Sequence, residues 1–110
     1  MRYLLLIYED ETNEPGDIQP WFDYTEAMQK AGVMLAGDAL HPTSAATTVR
    51  VRNSETVATD GPFAETREQL GGYYLVDCAD LDEAIEWAAR MPNADRGSIE
   101  IRPVIDFEQP

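Results

Sequence analysis

Cysteine and histidine are almost absent from this chain of 110 residues. It has one of each, Cys78 and His41. One thiol cannot close an internal disulfide, and no Cys/His spacing typical of a zinc site is present. We therefore expect Cys78 to pack as a small core residue, and we expect no bound metal.

Positive charge is also scarce. Eight Lys and Arg residues stand against 21 Asp and Glu, which gives a formal net charge of −13. A field of this sign repels phosphate backbones and anionic membrane surfaces, so nucleic acid and membrane are excluded as expected partners. We interpret the acidity mainly as a source of solubility, and a basic partner or a cationic ligand stays open.

Long hydrophobic runs are missing too. The longest clear run, Tyr3 to Tyr8, is far short of the ~18 to 20 residues that cross a bilayer, and acidic residues follow it too soon for a signal peptide. The sequence therefore predicts a cytoplasmic protein. A glycine-rich phosphate loop, a Gly-x-Ser-x-Gly nucleophile elbow and a calcium loop are all absent, so no cofactor is expected.

What is present suits one globular domain over residues 1–110, with 44% hydrophobic and 26% charged residues. Apolar periodicity, capping residues and turn residues predict eight elements and a short helical turn. The predicted strands are 3–8, 33–36, 47–52, 55–59, 73–78 and 98–104; the predicted helices are 18–31 and 81–90, with the helical turn at 64–70.

The order of these elements is β-α-β, then a hairpin, then β-α-β. It predicts an α+β fold, a ferredoxin-like split βαβ with an inserted β-hairpin, in which two helices cover one face of an antiparallel sheet. The strands at 3–8 and 73–78 are apolar on both faces, so the uncovered face of the sheet would expose a large apolar patch. A homodimer packed sheet against sheet would cover it.

The segment Asp60-Gly61-Pro62-Phe63 stands between a strand and the predicted helical turn. Gly61 permits a sharp bend, Pro62 suits a first helical turn, Asp60 can accept amide hydrogen bonds, and Phe63 is expected to anchor the loop in the core. These local roles explain the segment without chemistry. A carboxylate at this bend could also face a ligand pocket.

With its flanks, this segment resembles the signature of the YCII-related family, in the subgroup named for the residues D-G-P-F. The resemblance extends over nearly the whole chain. It is carried by Thr59 to Thr66, Gln69 to Tyr74, Met1 to Tyr8, Gly32 to Asp38, Ala46 to Arg50, Asp80 to Met91 and Gly97 to Val104.

The resemblance implies a ferredoxin-like fold that forms a dimeric α/β barrel, with a pocket between the sheet and the partner. Some members are encoded beside, or fused to, sigma factors of the extracytoplasmic-function group, which implies a bacterial regulatory role. More distant relatives are suspected of using a His with an Asp, and others have ring-opening dehalogenating or hydrolytic activity. The histidine suspected in the more distant relatives lies near the start of the first helix, where this chain has Pro20-Trp21-Phe22-Asp23.

The candidate site residues fall into two groups. His41 is the only side chain with an ordinary pKa near neutrality, and Asp38 or Asp60 could orient it for acid–base catalysis. Arg50 and Arg52 share one face of a strand and could bind an anionic group, although an exposed hairpin rim that balances nearby acid is the favoured explanation. Tyr73 and Phe63 are the other expected ligand contacts, and Trp21 and Trp87 are interpreted as packing residues.

Three functions remain open from the sequence. The first is a dimeric protein that binds a small molecule in a pocket at the sheet and dimer face. The second is a lyase or hydrolase that acts on a small anionic metabolite through His41 with Asp38 or Asp60. The third is an interaction module that regulates a sigma factor through its acidic surface.

Overall fold

A computed structural model of the chain describes residues 1–107 and shows an α+β fold with two helices. The strands are β1 (Arg2–Glu9), β2 (Met34–Ala39), β3 (Thr47–Arg52), β4 (Glu55–Asp60), β5 (Gln69–Asp77) and β6 (Ser98–Pro103), and the helices are α1 (Gln19–Lys30) and α2 (Leu81–Ala89). Neither helix is long and apolar enough to span a bilayer within the described residues.

Four strands form an open antiparallel sheet in the order β2-β5-β1-β6. Strand β1 is central because it is apolar at successive positions and pairs along its length with both β5 and β6. The predicted hairpin of β3 and β4 is confirmed, as a separate two-stranded sheet. Its turn residues, Asn53 and Ser54, both have positive φ, as a two-residue hairpin turn requires.

The core lies between one face of the sheet and both helices. Tyr3, Leu5 and Ile7 of β1 are buried there, together with side chains from α1 and α2. The two helices are joined where the hydroxyl of Tyr24 donates to the backbone oxygen of Trp87 at 2.7 Å. Because strand side chains alternate, the residues between these on β1 face the other side of the sheet, and there they are only half-buried.

The ends of the helices follow from local chemistry. Asp80 caps α2 by accepting a hydrogen bond from the backbone N–H of Glu83 at 2.9 Å, as the capping pattern predicts. Gly32 follows α1 with φ of +73°, the left-handed conformation in which a glycine commonly ends a helix. Asp17 does not cap α1, which begins after Ile18; its carboxylate accepts from the backbone N–H of Gln19 at 2.9 Å.

Two predictions around residue 63 are wrong. No helical turn forms at 64–70, because Gln69 and Leu70 already pair with β1 and β5 begins four residues earlier than predicted. Phe63 does not anchor the loop in the core of the chain, since it is 82% exposed. The backbone of Gly61 holds this loop instead: its N–H donates to Ala46, and its carbonyl accepts from the hydroxyl of Thr48 at 2.9 Å.

Candidate ligand-binding site

A cleft of about 480 Å³ lies between the first turns of α1 and the sheet, at the place where β2 pairs with β5. Its floor is largely apolar, and a volume of this size accommodates a small molecule. The lining residues come from four elements and two loops, so the cleft depends on the tertiary fold. They are Ile7, Glu9, Ile18, Trp21, Phe22, Thr25, Met34, Gly37, Asp38, Ala39, Gly71, Gly72, Tyr73, Tyr74 and Asn93.

The cleft exists because the sheet carries few side chains at this point. Gly37 pairs with Tyr74, and next to them Ala39 pairs with Gly72, so three of four neighbouring positions have at most one side-chain carbon. At Gly37 the small residue is required, because a Cβ there would lie 2.6 Å from Cδ1 of Tyr74. At Gly72 a Cβ would lie 3.1 Å from the carbonyl oxygen of Asp38.

One face of α1 forms the opposite wall. Ile18, Trp21, Phe22 and Thr25 are spaced by three and four residues, which places them together on one side of a helix. Trp21 is held edge-on against Tyr24, with ring centroids 6.4 Å apart, whereas Phe22 is exposed. The wall therefore presents two aromatic side chains toward the cleft.

Two hydrogen bonds between side chains lie among the lining residues. Thr25 Oγ1 is 2.7 Å from the hydroxyl of Tyr74, on the face of the sheet that α1 covers. The hydroxyl of Tyr73 donates to Oδ2 of Asp38 at 2.8 Å, and strand alternation places this pair on the uncovered face, where Tyr73 lies opposite Leu6. The bond to Asp38 and the charge of that carboxylate raise the pKa of Tyr73, because ionisation would place two negative charges side by side. Tyr73 is thus a stable donor at neutral pH.

The remaining polar residues at the cleft are Glu9 and Asn93. Glu9 Oε1 accepts from Nε of Arg96 at 3.1 Å. Asn93 is 2% exposed, and its Oδ1 has no hydrogen-bond partner within residues 1–107, although its backbone oxygen accepts from the N–H groups of Arg96 and Gly97. Leaving a buried acceptor unpaired costs roughly 1 to 3 kcal/mol.

Comparison with known sequences identifies the family. The pattern of the YCII-related domain matches residues 1–108. The chain belongs to this family. A relative from Rhizobium meliloti (strain 1021), described as an uncharacterized protein, is 42% identical over 114 residues, which cover 94% of this chain and 92% of the relative.

In this YCII-related chain, two of the predicted site residues are brought together on the uncovered face of the sheet, behind the cleft. They are Asp38 and Tyr73, which lie opposite each other on β2 and β5 and share a hydrogen bond. His41 lies beyond the end of β2, is exposed, and is not among the lining residues. No hydrogen bond or ion pair within the described residues joins His41 to Asp38 or Asp60.

The other predicted residues lie on the hairpin and in the loop after it. Arg50 and Arg52 share one face of β3, opposite Val57 and Glu55 of β4. Asp60 pairs with Thr47, so strand alternation places it on the other face of the hairpin. With the exposed Phe63, these residues lie outside the cleft of a single chain.

The residues that sequence reasoning missed are those that make the space. Gly37 and Gly72 look like turn residues in the sequence, yet both lie inside strands. Trp21 has a packing role, as predicted, and also lines the cleft. Asn93 follows Pro92 in a polar stretch typical of a loop, and no local signal marks it as buried.

Proposed function

We propose that this chain is a homodimeric protein that binds a small molecule in the cleft between α1 and the β2–β5 pair. The observation that carries the proposal is the cleft itself, about 480 Å³ in volume, which the glycine positions of the sheet leave open beneath Trp21 and Phe22. Apolar clefts with a few polar groups at their walls are typical ligand sites.

The homodimer is supported by the uncovered face of the sheet. Leu4 and Leu6 of β1 and Leu75 of β5 lie on that face at neighbouring pair positions, and all are only half-buried. A second copy that packs sheet against sheet would bury them.

The order of helices and strands in this chain supports the same assembly. A helix follows β1, another follows β5, and the order β2-β5-β1-β6 suits a ferredoxin-like split βαβ with the β3–β4 hairpin inserted after β2. We assign the chain to the D-G-P-F subgroup on Asp60-Gly61-Pro62-Phe63 and propose that two copies form a dimeric α/β barrel. Phe63 and the two arginines of β3 would then be available to the partner's surface.

One observation favours an acid–base enzyme as a second candidate function. Asp38 and Tyr73 form a hydrogen-bonded pair on the uncovered face of the sheet, where the proposed partner would pack, as a carboxylate and its orienting donor do in acid–base sites. In that case Asp38 is better placed to act than His41, which lies beyond the end of β2. Regulation of a sigma factor through the acidic surface is a separate proposal that does not involve the cleft.

Filling the cleft tests the proposed function. Ala39→Leu adds three side-chain carbons at the lining, and we expect it to lower the affinity for the uncharged dye Nile red by at least about tenfold, followed by fluorescence. Ala89→Leu is the matched control, because Ala89 is exposed at the end of α2 and lies outside the cleft. Nile red that binds wild type, A39L and A89L equally would refute the cleft as a ligand site.

A further inference from the structure

The side chain of Asn93 has no structural role that its contacts explain. It is 98% buried, yet its amide oxygen accepts no hydrogen bond within residues 1–107, and the bonds that hold this loop use its backbone oxygen. Buried polar groups in folded proteins almost always have a partner. An unpaired amide at the wall of a cleft therefore points to a partner that enters the cleft.

The charges around the cleft restrict what that partner can be. Glu9 is the charged residue whose strand position faces the cleft, whereas strand alternation directs the carboxylate of Asp38 to the opposite face of the sheet; among the described residues no Lys, Arg or His side chain lines the cleft. Arg96 partly neutralises Glu9, whose Oε1 lies 3.1 Å from Nε of the guanidinium. With a formal net charge of −13 on the chain, an anion would meet repulsion both at a distance and at the wall.

The remaining surface of the cleft favours an apolar, flat ligand body. Trp21, Phe22 and Tyr74 supply aromatic rings, and Ile7 and Met34 supply aliphatic surface. Aromatic rings pack well against other rings and attract cations, but not anions.

We propose that the cleft selects a small, largely apolar molecule that carries no negative charge and presents an N–H or O–H donor to Oδ1 of Asn93. This inference rests on the proposed ligand cleft and adds the chemical class of its ligand. Oδ1 is itself buried in the free chain, so the amide of Asn93 would turn toward the cleft to accept the bond that it lacks, while the rings of α1 hold the apolar body.

Three probes with the same ring and different head groups test this selection. Benzamide has an N–H donor, toluene has none, and benzoate has a negative charge in place of the amide. In titrations followed by the amide and indole NMR signals of the full chain, we expect benzamide to bind about 3- to 10-fold more tightly than toluene, the worth of one neutral hydrogen bond. Benzoate should bind more weakly than toluene.

The variant Asn93→Leu should abolish the advantage of benzamide over toluene and leave the affinity for toluene within about twofold. Asn13→Leu is the control, since Asn13 is exposed in the loop after β1 and should leave the ratio unchanged. Asn93→Ala serves as a second variant if the leucine alters the fold, which the dispersion of the NMR spectrum reports.

Two results would overturn the inference while the ligand cleft survives. One is equal binding of benzamide and toluene to the wild-type chain, and the other is benzoate bound as tightly as benzamide, which would show that the Asn93 amide donates rather than accepts. If none of the three probes binds and Nile red does not bind either, the cleft itself fails and the inference falls with it.

Discussion

At the scale of single residues, Asn93 carries a conflict between stability and binding. Its buried oxygen has lost water and gained no protein partner, so the free chain bears a desolvation cost of roughly 1 to 3 kcal/mol. Sites of function often retain such costs, because the group that would relieve them belongs to the ligand. The sequence gives no hint of this, since an Asn after Pro in a polar stretch is normally solvated.

We therefore expect Asn93→Leu to make the free chain more stable, by about 1 kcal/mol, which is unusual for a change at a buried position. Leucine has the same number of side-chain heavy atoms and the same branching as asparagine, although its methyl groups are larger, and it leaves no polar atom unpaired; the Oδ1 of Asn93 makes no hydrogen bond that would be lost. Urea unfolding measured by circular dichroism would report the change. A loss of stability greater than that of the exposed control Asn13→Leu would contradict this view of Asn93.

At the scale of elements, the sequence is most informative where one residue type decides the local geometry. Asp80 before Leu81, Gly32 after α1 and the Asn53-Ser54 turn were all predictable, because caps and tight turns depend on neighbouring residues. The conformations of the run 64–70 and of the glycines of β5 could not be predicted in this way. Their conformation depends on pairing with β1, a partner about 60 residues away in the chain, which overrides local helix propensity.

The same reasoning explains why only part of the candidate site was predictable. Asp38 and Tyr73 lie at the ends of strands that the sequence places in one sheet, and the sheet brings them together. His41 stood out only because it is the sole histidine, and composition says nothing about where a loop directs a side chain. Gly37 and Gly72 matter for the space they leave, and single-sequence patterns do not reveal space.

The cap of α2 is a feature that can be tested at this scale. Asp80→Ala removes the acceptor of the Glu83 N–H bond at 2.9 Å, and we expect a loss of about 1 kcal/mol in the free energy of unfolding. Asp82→Ala is a matched control, since Asp82 is an exposed acid in the first turn that does not cap the helix; its loss should be only about 0.3 kcal/mol through the helix dipole. Equal losses in urea unfolding would argue against the cap.

At the scale of the whole molecule, one chain is flat. It measures 47 × 46 × 18 Å with a radius of gyration of 16.0 Å, whereas a compact domain of about 100 residues has roughly 13 Å. The thin dimension matches one sheet and one layer of helices. The β3–β4 hairpin adds to the extent, because almost every residue of β4 is exposed and the hairpin forms its own two-stranded sheet.

An isolated two-stranded hairpin is at best marginally stable in water, so the one seen here requires a surface to pack on. Several apolar side chains are exposed in one chain: Val49, Val51 and Val57 of this hairpin, and Phe63. On the uncovered face of the sheet, Leu4 and Leu6 are half-buried. These surfaces are of one chemical kind, and their burial against a second copy would have to outweigh the repulsion between two chains that each carry a net charge of −13. They support the proposed homodimer.

We expect light scattering at about 10 μM to give twice the 12.3 kDa of one chain. Leu6→Glu should shift that mass toward the monomer, because Leu6 lies at the centre of β1 on the uncovered face and a buried carboxylate without a partner is strongly disfavoured. Leu81→Glu is the matched control, since it places an acid in the exposed first turn of α2, where the helix dipole favours one, and it should leave the dimer intact. A wild-type mass of 12.3 kDa under these conditions would contradict the homodimer, and an L6E chain that keeps the dimer mass would place the interface elsewhere than on this face of the sheet.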